Sequence, residues 1–361
     1  MSSDKNSKKI IILCPYPREG APSQRFRYEQ YLAELIKNGY EYQICSFLDN
    51  KTNQILYQPG HLLLKLSGIT LGYLRRVRHI WAVRSAHAVF IHREATPLGP
   101  PWVEWIIAKL FKKPIIYDFD DAIWREDTSG VNRWISWLKW RSKVARVCQW
   151  SFRVSAGNSY LAHFACEYNS RTIINPTTID TEHYHNQFVD QQSSLVTIGW
   201  TGSHSTLKYL INVTAALNKL AQSYTFRFIV IADRPPELNL PNLEFIRWNQ
   251  TTEVVDLAKI NIGIMPLPDD PWAQGKCGFK ALQYLALGIP AVVSPVGVNR
   301  EIVQPGVHGF HATTECEWHD ALKKLLNDTN LRRRMGRAGR QHVIDHYSVA
   351  ANTSNFISLL P

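Results

Sequence analysis

Short apolar runs alternate with longer amphipathic stretches along the chain, and this alternation occurs in two successive series. The runs of the first series are KIIILC (9–14), YEYQICSF (40–47), AHAVFIHR (86–93), KPIIYDF (113–119) and FRVSA (152–156). The runs of the second series are LVTIGW (195–200), FRFIVIA (226–232), EFIRW (244–248), NIGIMPL (261–267) and PAVVSP (290–295). The helical stretches between them include 22–38, 101–112, 205–221 and 276–287. Because parallel strands are joined by long crossovers, most often helices, the alternation predicts parallel sheets.

A polar and irregular segment, NPTTIDTEHYHNQFVDQQSS (175–194), separates the two series. Its position predicts a first domain over 1–187 and a second domain that begins at 188. A chain of 361 residues is long enough for both. We therefore expect an α/β protein with two Rossmann-like domains that face a cleft. Ligands of such sheets bind outside the carboxyl ends of the strands, so polar residues at strand ends are the candidate site residues.

The composition limits the partners and the compartment. A formal net charge of +11 suits an acidic substrate, an anionic membrane surface or nucleic acid. The basic residues form no known nucleic-acid-reading motif, so we expect no nucleic-acid partner. The six cysteines include no CxxC pair, which argues against a zinc site or a disulfide framework. The N-terminal apolar run is too short for a signal peptide, and no run reaches the roughly 18 apolar residues of a membrane span. These features predict a cytoplasmic protein.

The loop and helix after the first strand carry candidate ligand-binding residues. Gly20 lies in the loop, and we expect Ser23 to cap the helix that follows. Arg25 and Arg27 then fall in the first helical turn, where the helix dipole disfavours cations. They are either solvated surface arginines or part of an anion-binding site.

Charged residues also end the third and fourth strands. Arg93 and Glu94 close the third strand and form either a local ion pair or part of a site. Asp118, Asp120 and Asp121 close the fourth strand, and three acids in this position suggest a base, a proton acceptor or a metal site. The side chains of residues 118 and 120 share one face of a strand.

In the second series, the segment IGWTGSHSTLKYL turns from a strand into a helix at Gly202 and Ser203. This arrangement is typical of a phosphate-binding turn, but it lacks the GxGxxG spacing and is also found in ordinary tight turns.

The segment GKCGFKALQYLALGIP (275–290) is the most informative part of the chain. A helix that begins near Lys276 places Lys276, Lys280 and Gln283 on one face, and Gly278 lets a ligand approach the backbone. Two cations at the positive end of a helix predict a diphosphate-binding site. The alternative is that both lysines are solvated.

These residues resemble those of retaining glycosyltransferases of family 4, which have the GT-B fold. The resemblance covers most of the chain and is strongest at 261–312, where Gly278, Gly288-Ile289-Pro290 and Glu301 match the family pattern. A branch of the family is also similar in YDFDDAIW, SQRFRYEQYL and GKCGFKALQYLA. Two family glutamates are replaced: the ribose-binding one by Gln283 and the sugar-binding one by Gly275.

The resemblance implies specific roles for these residues. The candidate donor-binding residues are Gly202, Ser203, Trp248, Gly275, Lys276, Cys277, Gly278, Phe279, Lys280 and Gln283. The candidate acceptor-binding residues are Gly20, Ser23, Arg25 and Arg93. Asp120, with Asp121 beside it, falls nearest the position that faces the sugar, and Lys280 would stabilise the leaving diphosphate. A C-terminal helix within 346–361 would follow a second domain of 188–345 and pack back on the first.

The implied activity is retaining transfer of a sugar from a nucleoside diphosphate-sugar to a glycan or lipid-linked acceptor, in cell-surface polysaccharide synthesis. The sugar nucleotide is a co-substrate, and no cofactor or metal is expected. Asp118-Phe119-Asp120 also fits the DxD pattern of metal-dependent glycosyltransferases, but this short pattern often arises by chance. The alternatives are a nucleotide-sugar epimerase on the same fold and a non-catalytic nucleotide-sugar-binding subunit.

Two segments combine large apolar residues with cations. The segment 132–150 contains four tryptophans among basic residues, and 61–84 mixes leucines with arginines. Such segments are typical of helices that lie in the headgroup region of a bilayer, so we predict peripheral attachment to the inner face of an anionic membrane. The alternative is that the tryptophans pack in the core.

Overall fold

The computed structural model describes residues 8–56, 58, 60–125, 140–193 and 195–361. The chain forms two compact units, of which the first contains residues up to Thr177 together with Asn352–Pro361, and the second contains Thr178–Ala351. The division lies before the predicted boundary at 187/188, because the intervening residues bond within the second unit. The Tyr184 hydroxyl, for example, lies 3.0 Å from the Gln250 carbonyl oxygen.

The first unit is built on a parallel six-stranded sheet with the order β2-β1-β3-β4-β5-β6. Its strands are β1 (Lys8–Cys14), β2 (Tyr40–Ser46), β3 (Ala88–His92), β4 (Ile115–Phe119), β5 (Arg153–Ala156) and β6 (Thr172–Ile174). The side chains of β3 and β4 are buried throughout, as expected for central strands covered on both faces.

The second unit also contains a parallel six-stranded sheet, with the order β12-β11-β10-β7-β8-β9. Its strands are β7 (Thr197–Gly202), β8 (Arg227–Ala232), β9 (Leu243–Arg247), β10 (Ile262–Met265), β11 (Ala291–Val293) and β12 (Gly309–His311). This is the strand order of a dinucleotide-binding sheet, and the first sheet follows the flavodoxin-like order, the other common order of doubly wound sheets. The prediction of two Rossmann-like domains is therefore confirmed.

Helices cover the sheets of both units. Those of the first unit are Pro22–Arg25, Leu32–Lys37, Asn50–Leu56, Leu62–Val83, Trp102–Trp105, Lys143–Trp150 and Ser159–Cys166, with a 3₁₀ turn at Glu29–Tyr31 and a π-helix at Ile106–Leu110. Those of the second are His204–Leu207, Ile211–Ala221, Glu253–Leu257, Pro271–Gln274, Phe279–Ala286, Asn299–Ile302, Glu315–Asn327 and Thr329–His346, with a 3₁₀ turn at Lys208–Leu210. No helix in the described part of the chain combines the length and apolarity needed to cross a membrane.

The last helix, Val349–Ser358, returns the chain to the first unit, as predicted. The ring of Phe356 stacks on that of Tyr31 with 4.3 Å between centroids and an interplanar angle of 6°. Asn355 adds a hydrogen bond from its amide to the Ile174 carbonyl at 3.1 Å. Aromatic burial and this hydrogen bond together hold the C-terminal helix beside the first sheet.

Candidate functional site

The strand order of the second sheet identifies the edge at which a ligand can bind. Strands β8 and β9 lie on one side of β7, whereas β10, β11 and β12 lie on the other, so the order reverses between β7 and β10. Doubly wound sheets bind ligands outside the carboxyl ends of the strands at this switch point. Gly202 ends β7, and the chain after β10 leads through residues 266–278 to the Phe279–Ala286 helix. The candidate donor-binding segments therefore meet at one edge.

The Phe279–Ala286 helix begins later than predicted. Gly278 precedes it with φ = 67°, a left-handed conformation that separates the helix from the short Pro271–Gln274 helix. Lys276 therefore lies outside the helix that carries Lys280, and the prediction of a shared face for the two lysines is wrong. The Lys276 ammonium instead lies 5.3 Å from the centroid of the Trp272 ring.

Lys280 lies against the end of β7. Its ammonium is 5.4 Å from the centroid of the buried Trp200 ring. A Cβ atom at Gly202 would lie 2.5 Å from Trp200 Cη2 and 2.8 Å from Lys280 Cε. Gly202 therefore leaves the space in which the stem of Lys280 runs, and two predicted donor-binding residues are neighbours.

Tyr284 fixes the Phe279–Ala286 helix on the sheet. Its hydroxyl oxygen accepts a hydrogen bond from the Thr201 amide at 3.0 Å and donates to the Ile264 carbonyl at 3.3 Å. Burial raises the pKa of Tyr284, so the hydroxyl keeps the proton that it donates. The helix that presents Lys280 is thereby joined to both strands of the switch point.

Gln283 and Trp248 meet at a carboxylate that the sequence did not single out. Glu253 Oε1 accepts hydrogen bonds from Gln283 Nε2 at 3.2 Å and from Trp248 Nε1 at 3.3 Å, and the Tyr184 hydroxyl donates to Oε2 at 2.9 Å. Gln283 Nε2 also lies 3.4 Å from His185 Nε2. Glu253 and Gln283 are both buried, so this polar cluster sets the position of the Gln283 amide.

His204 and Asp233 form a hydrogen-bonded pair at the carboxyl edge of the second sheet, and this pair was not predicted from the sequence. The His204 amide donates to Asp233 Oδ1 at 2.6 Å, and His204 Nδ1 lies 2.6 Å from Asp233 Oδ2. Asp233 directly follows β8, and a polar residue at a strand end was the available signal. The neighbouring Ser203 hydroxyl lies 2.9 Å from that of Ser205 and makes no capping bond.

The remaining predicted donor-binding residues belong to the segment before the helix. Gly275 follows the Pro271–Gln274 helix as its C-cap, and Cys277 is buried with its sulfur 4.0 Å from the Gly275 carbonyl. Phe279 is the first residue of the next helix and is half-buried. A Cβ atom at Gly278 would lie 2.1 Å from Ile302 Cδ1, so backbone conformation and space both require glycine there.

In the first unit, the candidate acceptor-binding residues follow β1 and β3, which are adjacent in the sheet. The predicted cap at Ser23 is wrong: Ala21 is the N-cap, because Pro22 occupies the first helical position and no side chain caps this helix. Gly20 donates its amide proton to the Pro17 carbonyl at 2.9 Å and closes a tight turn. Arg25 is buried, with its guanidinium 4.9 Å from the Phe26 ring, which excludes the surface alternative.

Side chains that the sequence did not single out hold this loop. Gln24 Nε2 donates to the Tyr16 carbonyl at 3.1 Å, and its Oε1 accepts from the Tyr16 amide at 2.9 Å. Glu29 accepts from the Glu19 amide at 2.9 Å. These bonds order the backbone around Gly20.

Arg93 joins two of the predicted catalytic residues. It donates from Nε to Asp120 Oδ1 at 2.7 Å and from Nη2 to Asp121 Oδ2 at 2.5 Å. The alternative of a local pair with Glu94 is wrong, because Glu94 lies 2.8 Å from Lys143. Burial alone would raise the pKa of Asp120, but the Arg93 guanidinium, together with the neighbouring His92 and Arg27, holds the pKa below its usual value. Asp120 is therefore an ionised hydrogen-bond acceptor at neutral pH.

Arg93 also has an unusual backbone conformation. Its φ angle is 60°, a left-handed value that is uncommon for residues other than glycine. The Arg93 amide donates to the Asp118 carbonyl at 2.7 Å, and the Tyr117 hydroxyl donates to the Arg93 carbonyl at 2.8 Å. Such conformations are concentrated at functional sites.

Asp118 belongs to a separate buried network. It pairs with the buried Arg27, lies 2.7 Å from His92 Nδ1 and accepts from the Ser155 hydroxyl at 2.6 Å. Arg27 is thus neither a surface residue nor part of an exposed anion site. Burial tends to raise the pKa of Asp118, but Arg27 and the bond to His92 hold it well below its usual value. Across the described ranges, no three His, Cys, Asp or Glu side chains form a group that could hold a metal ion.

One protein-family model matches part of the second unit. Residues 236–342 match the family model described as Glycosyl transferases group 1, a range that includes Glu253 and the Phe279–Ala286 helix. No curated protein matches the chain.

Solved structures cover nearly the whole chain at low identity. A sucrose-phosphate synthase from Thermosynechococcus elongatus has a TM-score of 0.72 and 12% identity over 98% of each chain. A glycosyltransferase from Rickettsia africae has a TM-score of 0.69 and 12% identity, again over 98% of each chain. HepE of Anabaena, in complex with UDP-glucose, has a TM-score of 0.71 and 15% identity over 98% of this chain and 99% of that one. The protein therefore has the GT-B fold, and its second unit contains a Glycosyl transferases group 1 match.

Proposed function

We propose that this protein is a retaining, metal-independent glycosyltransferase of family 4. It moves a sugar from a nucleoside diphosphate-sugar to a glycan or lipid-linked acceptor in cell-surface polysaccharide synthesis. The observation that carries the proposal is the position of Lys280 beside Gly202, at the switch point of the second sheet. Lys280 lies within residues 236–342, which match Glycosyl transferases group 1.

The diphosphate binds at this edge in the proposal. Lys280 supplies a cation, and Gly202 leaves the space through which the lysine side chain reaches this edge of the sheet. Negative charge builds on the leaving oxygen as the glycosidic bond breaks, and a fixed cation stabilises that charge without reorganisation. One similar protein, HepE, is described in complex with UDP-glucose, so UDP-sugars are the first donors to test.

The nucleoside binds beside the Glu253 cluster. The side chains of Gln283 and Glu253 offer an amide and a carboxylate to ribose hydroxyls, and the half-buried Trp248 offers a ring face to the base. In this arrangement, Glu253 supplies the carboxylate that the family usually places at position 283.

The acceptor binds to the first unit in the proposal, near Gly20, Ser23, Arg25 and Arg93. Asp120, held by Arg93, accepts a hydrogen bond from a hydroxyl of the sugar or the acceptor. No enzymic nucleophile is required if the leaving phosphate takes the proton of the attacking hydroxyl on the same face of the sugar. This route retains the anomeric configuration.

A donor screen followed by product analysis tests the proposal. Purified protein is examined by thermal shift against a panel of UDP-, GDP- and ADP-sugars, and each stabilising donor is incubated with and without candidate glycan acceptors. We expect transfer to an acceptor, with the α or β configuration of the donor retained in the product by NMR. An isomerised sugar with donor alone would instead identify an epimerase, and binding without either product would identify a binding subunit.

A further inference from the structure

The Leu62–Val83 helix exposes many of its large apolar side chains, whereas an ordinary surface helix buries them. Its buried face contains Gly68, Gly72 and Arg76. A Cβ atom at Gly72 would lie 2.6 Å from Phe47 Cε1, and one at Gly68 would lie 2.3 Å from Thr52 Oγ1. Arg76, fully buried, donates to the Cys45 carbonyl at 2.7 Å and to the Cys14 carbonyl at 3.0 Å. The helix thus contacts the domain through two glycines and one hydrogen-bonded cation, together with Tyr73, which packs on Phe47, and the buried Val83 at its C-terminal end.

The opposite face of this helix is apolar. Leu63, Leu66, Thr70, Leu74, Val77 and Trp81 recur every three or four residues and so form one stripe. The five apolar members of the stripe are each exposed by 47–81%. A surface helix normally turns its apolar stripe to the core, and a continuous exposed stripe marks an interaction surface.

The charge around the stripe has one sign. The segment 61–84 contains Lys65, Arg75, Arg76, Arg78 and Arg84, and no Asp or Glu. Arg78 is exposed beside the stripe, and the Arg84 guanidinium lies 5.4 Å from the Trp81 ring at its end. Arg75 forms an ion pair with Asp49 of the same unit, with 3.2 Å between Nη2 and Oδ2.

We propose that this face of the Leu62–Val83 helix docks the protein on an anionic phospholipid bilayer. The helix has 22 residues and lies in the plane of the surface over about 33 Å. The leucines and Trp81 enter the acyl boundary while the arginines contact lipid phosphates. A two-fold interface between two copies would bring the same cations together, which disfavours self-association through this face.

The second segment predicted to bind the membrane, 132–150, is described only from Trp140 onward. Residues 132–139, with Trp134 and Trp137, lie outside the described residues. Within the rest of that segment, Lys143 is buried and donates to the Thr96 carbonyl at 2.7 Å, so it does not face a membrane.

Vesicle cosedimentation tests the proposal on the full chain. The vesicles contain phosphatidylcholine alone or an equimolar mixture with phosphatidylglycerol, at low and high salt. The test variant is Leu74→Glu/Trp81→Glu, and the charge variant is Arg78→Glu. The matched control is Ile211→Glu in the second unit, because Ile211 and Leu74 are exposed by 58% and 60% on their helices. Circular dichroism confirms that each variant is folded.

We expect the protein to pellet with anionic vesicles at low salt and to be released at high salt. The double variant should lower the partition coefficient at least about tenfold, and Arg78→Glu should lower it by about fivefold or more. The control should bind like the unmodified protein. A protein that stays in the supernatant with anionic vesicles, or a double variant that binds normally, would overturn the proposal. So would dimerisation by analytical ultracentrifugation that the double variant abolishes.

Discussion

The Nε2 amide of Gln283 donates to Glu253 Oε1 at 3.2 Å, so these two buried residues position one another at the candidate nucleoside site. Restoring the family glutamate with Gln283→Glu would place two carboxylates at this distance. We expect this variant to lose about 3 kcal/mol of unfolding free energy at neutral pH.

The loss should depend on pH. Repulsion raises the pKa of the new carboxyl pair in the folded state above the unfolded value of about 4.3. The loss is therefore small below that pH and grows as the pH rises. Urea unfolding at several pH values measures it. Gln283→Glu/Glu253→Gln should recover most of the stability, and a swap that recovers none would contradict a direct interaction.

Lys280→Ala should weaken nucleoside diphosphate binding by about 1.5–3 kcal/mol, because a charge-assisted hydrogen bond to phosphate is lost. Lys276→Ala should have a smaller effect, since Lys276 precedes the helix and lies over Trp272. Titration calorimetry with UDP gives both values. Lys324→Ala is the control, because that lysine lies over the Phe310 ring in the same unit. Equal affinity for all three variants would remove Lys280 from the diphosphate site.

Gly202→Ala should displace Trp200 or the stem of Lys280, since the new methyl group would lie 2.5 Å from the indole ring. Overpacking of this kind costs about 1–3 kcal/mol of stability. We expect a lower melting temperature together with weaker UDP binding. Gly39→Ala is the control, because Gly39 has a left-handed backbone and an added Cβ atom there would have no neighbour within 4 Å. It should lower stability through backbone strain and leave UDP affinity unchanged. If Gly202→Ala binds UDP normally, Gly202 does not contribute to the UDP-binding site.

Asp120→Asn should reduce turnover on the order of 100-fold and leave donor affinity unchanged, because it removes the charge that Arg93 orients in the first unit. Steady-state kinetics and calorimetry separate the two effects. Glu34→Gln removes a surface ion pair with Lys37 in the same unit and should be close to neutral. If turnover is normal in Asp120→Asn, the role belongs to Asp121 or to neither residue.

Activity should survive EDTA. In the proposed mechanism, Lys280 stabilises the charge of the leaving diphosphate, and Asp118 is engaged by Arg27, His92 and Ser155. Initial rates with and without EDTA, followed by added Mn²⁺ or Mg²⁺, measure the dependence. Rates abolished by EDTA and restored by Mn²⁺ would assign a metal role to Asp118-Phe119-Asp120.

Much of the fold follows from local pattern. Apolar runs bounded by polar residues predicted ten of the strands, because a buried parallel strand needs a continuous apolar segment. The strands Thr172–Ile174 and Gly309–His311 were missed because polar residues flank them and no continuous apolar run marks them, whereas the equally short Ala291–Val293 lies in the run PAVVSP. The strand ends that carry Gly202, Arg93 and Asp120 could likewise be located from the sequence.

Only the tertiary structure decided which of these side chains meet. Gly278 has a φ angle of 67°, and this left-handed conformation separates Lys276 from the helix of Lys280. Ile302, which is distant in the sequence, occupies the space that a Cβ atom at Gly278 would need. Glu253 is positioned by hydrogen bonds from Tyr184, Trp248 and Gln283. Asp118 is buried in an ion pair with Arg27, which is distant in the sequence.

The choice of which face of the Leu62–Val83 helix is buried also depends on the tertiary structure. Its composition showed apolar residues mixed with cations, but packing of Gly72 on Phe47 placed the leucines outward. Periodicity reports which residues share a face of a helix. Which face is buried depends on contacts with residues far away in the sequence, and these form only when the chain folds.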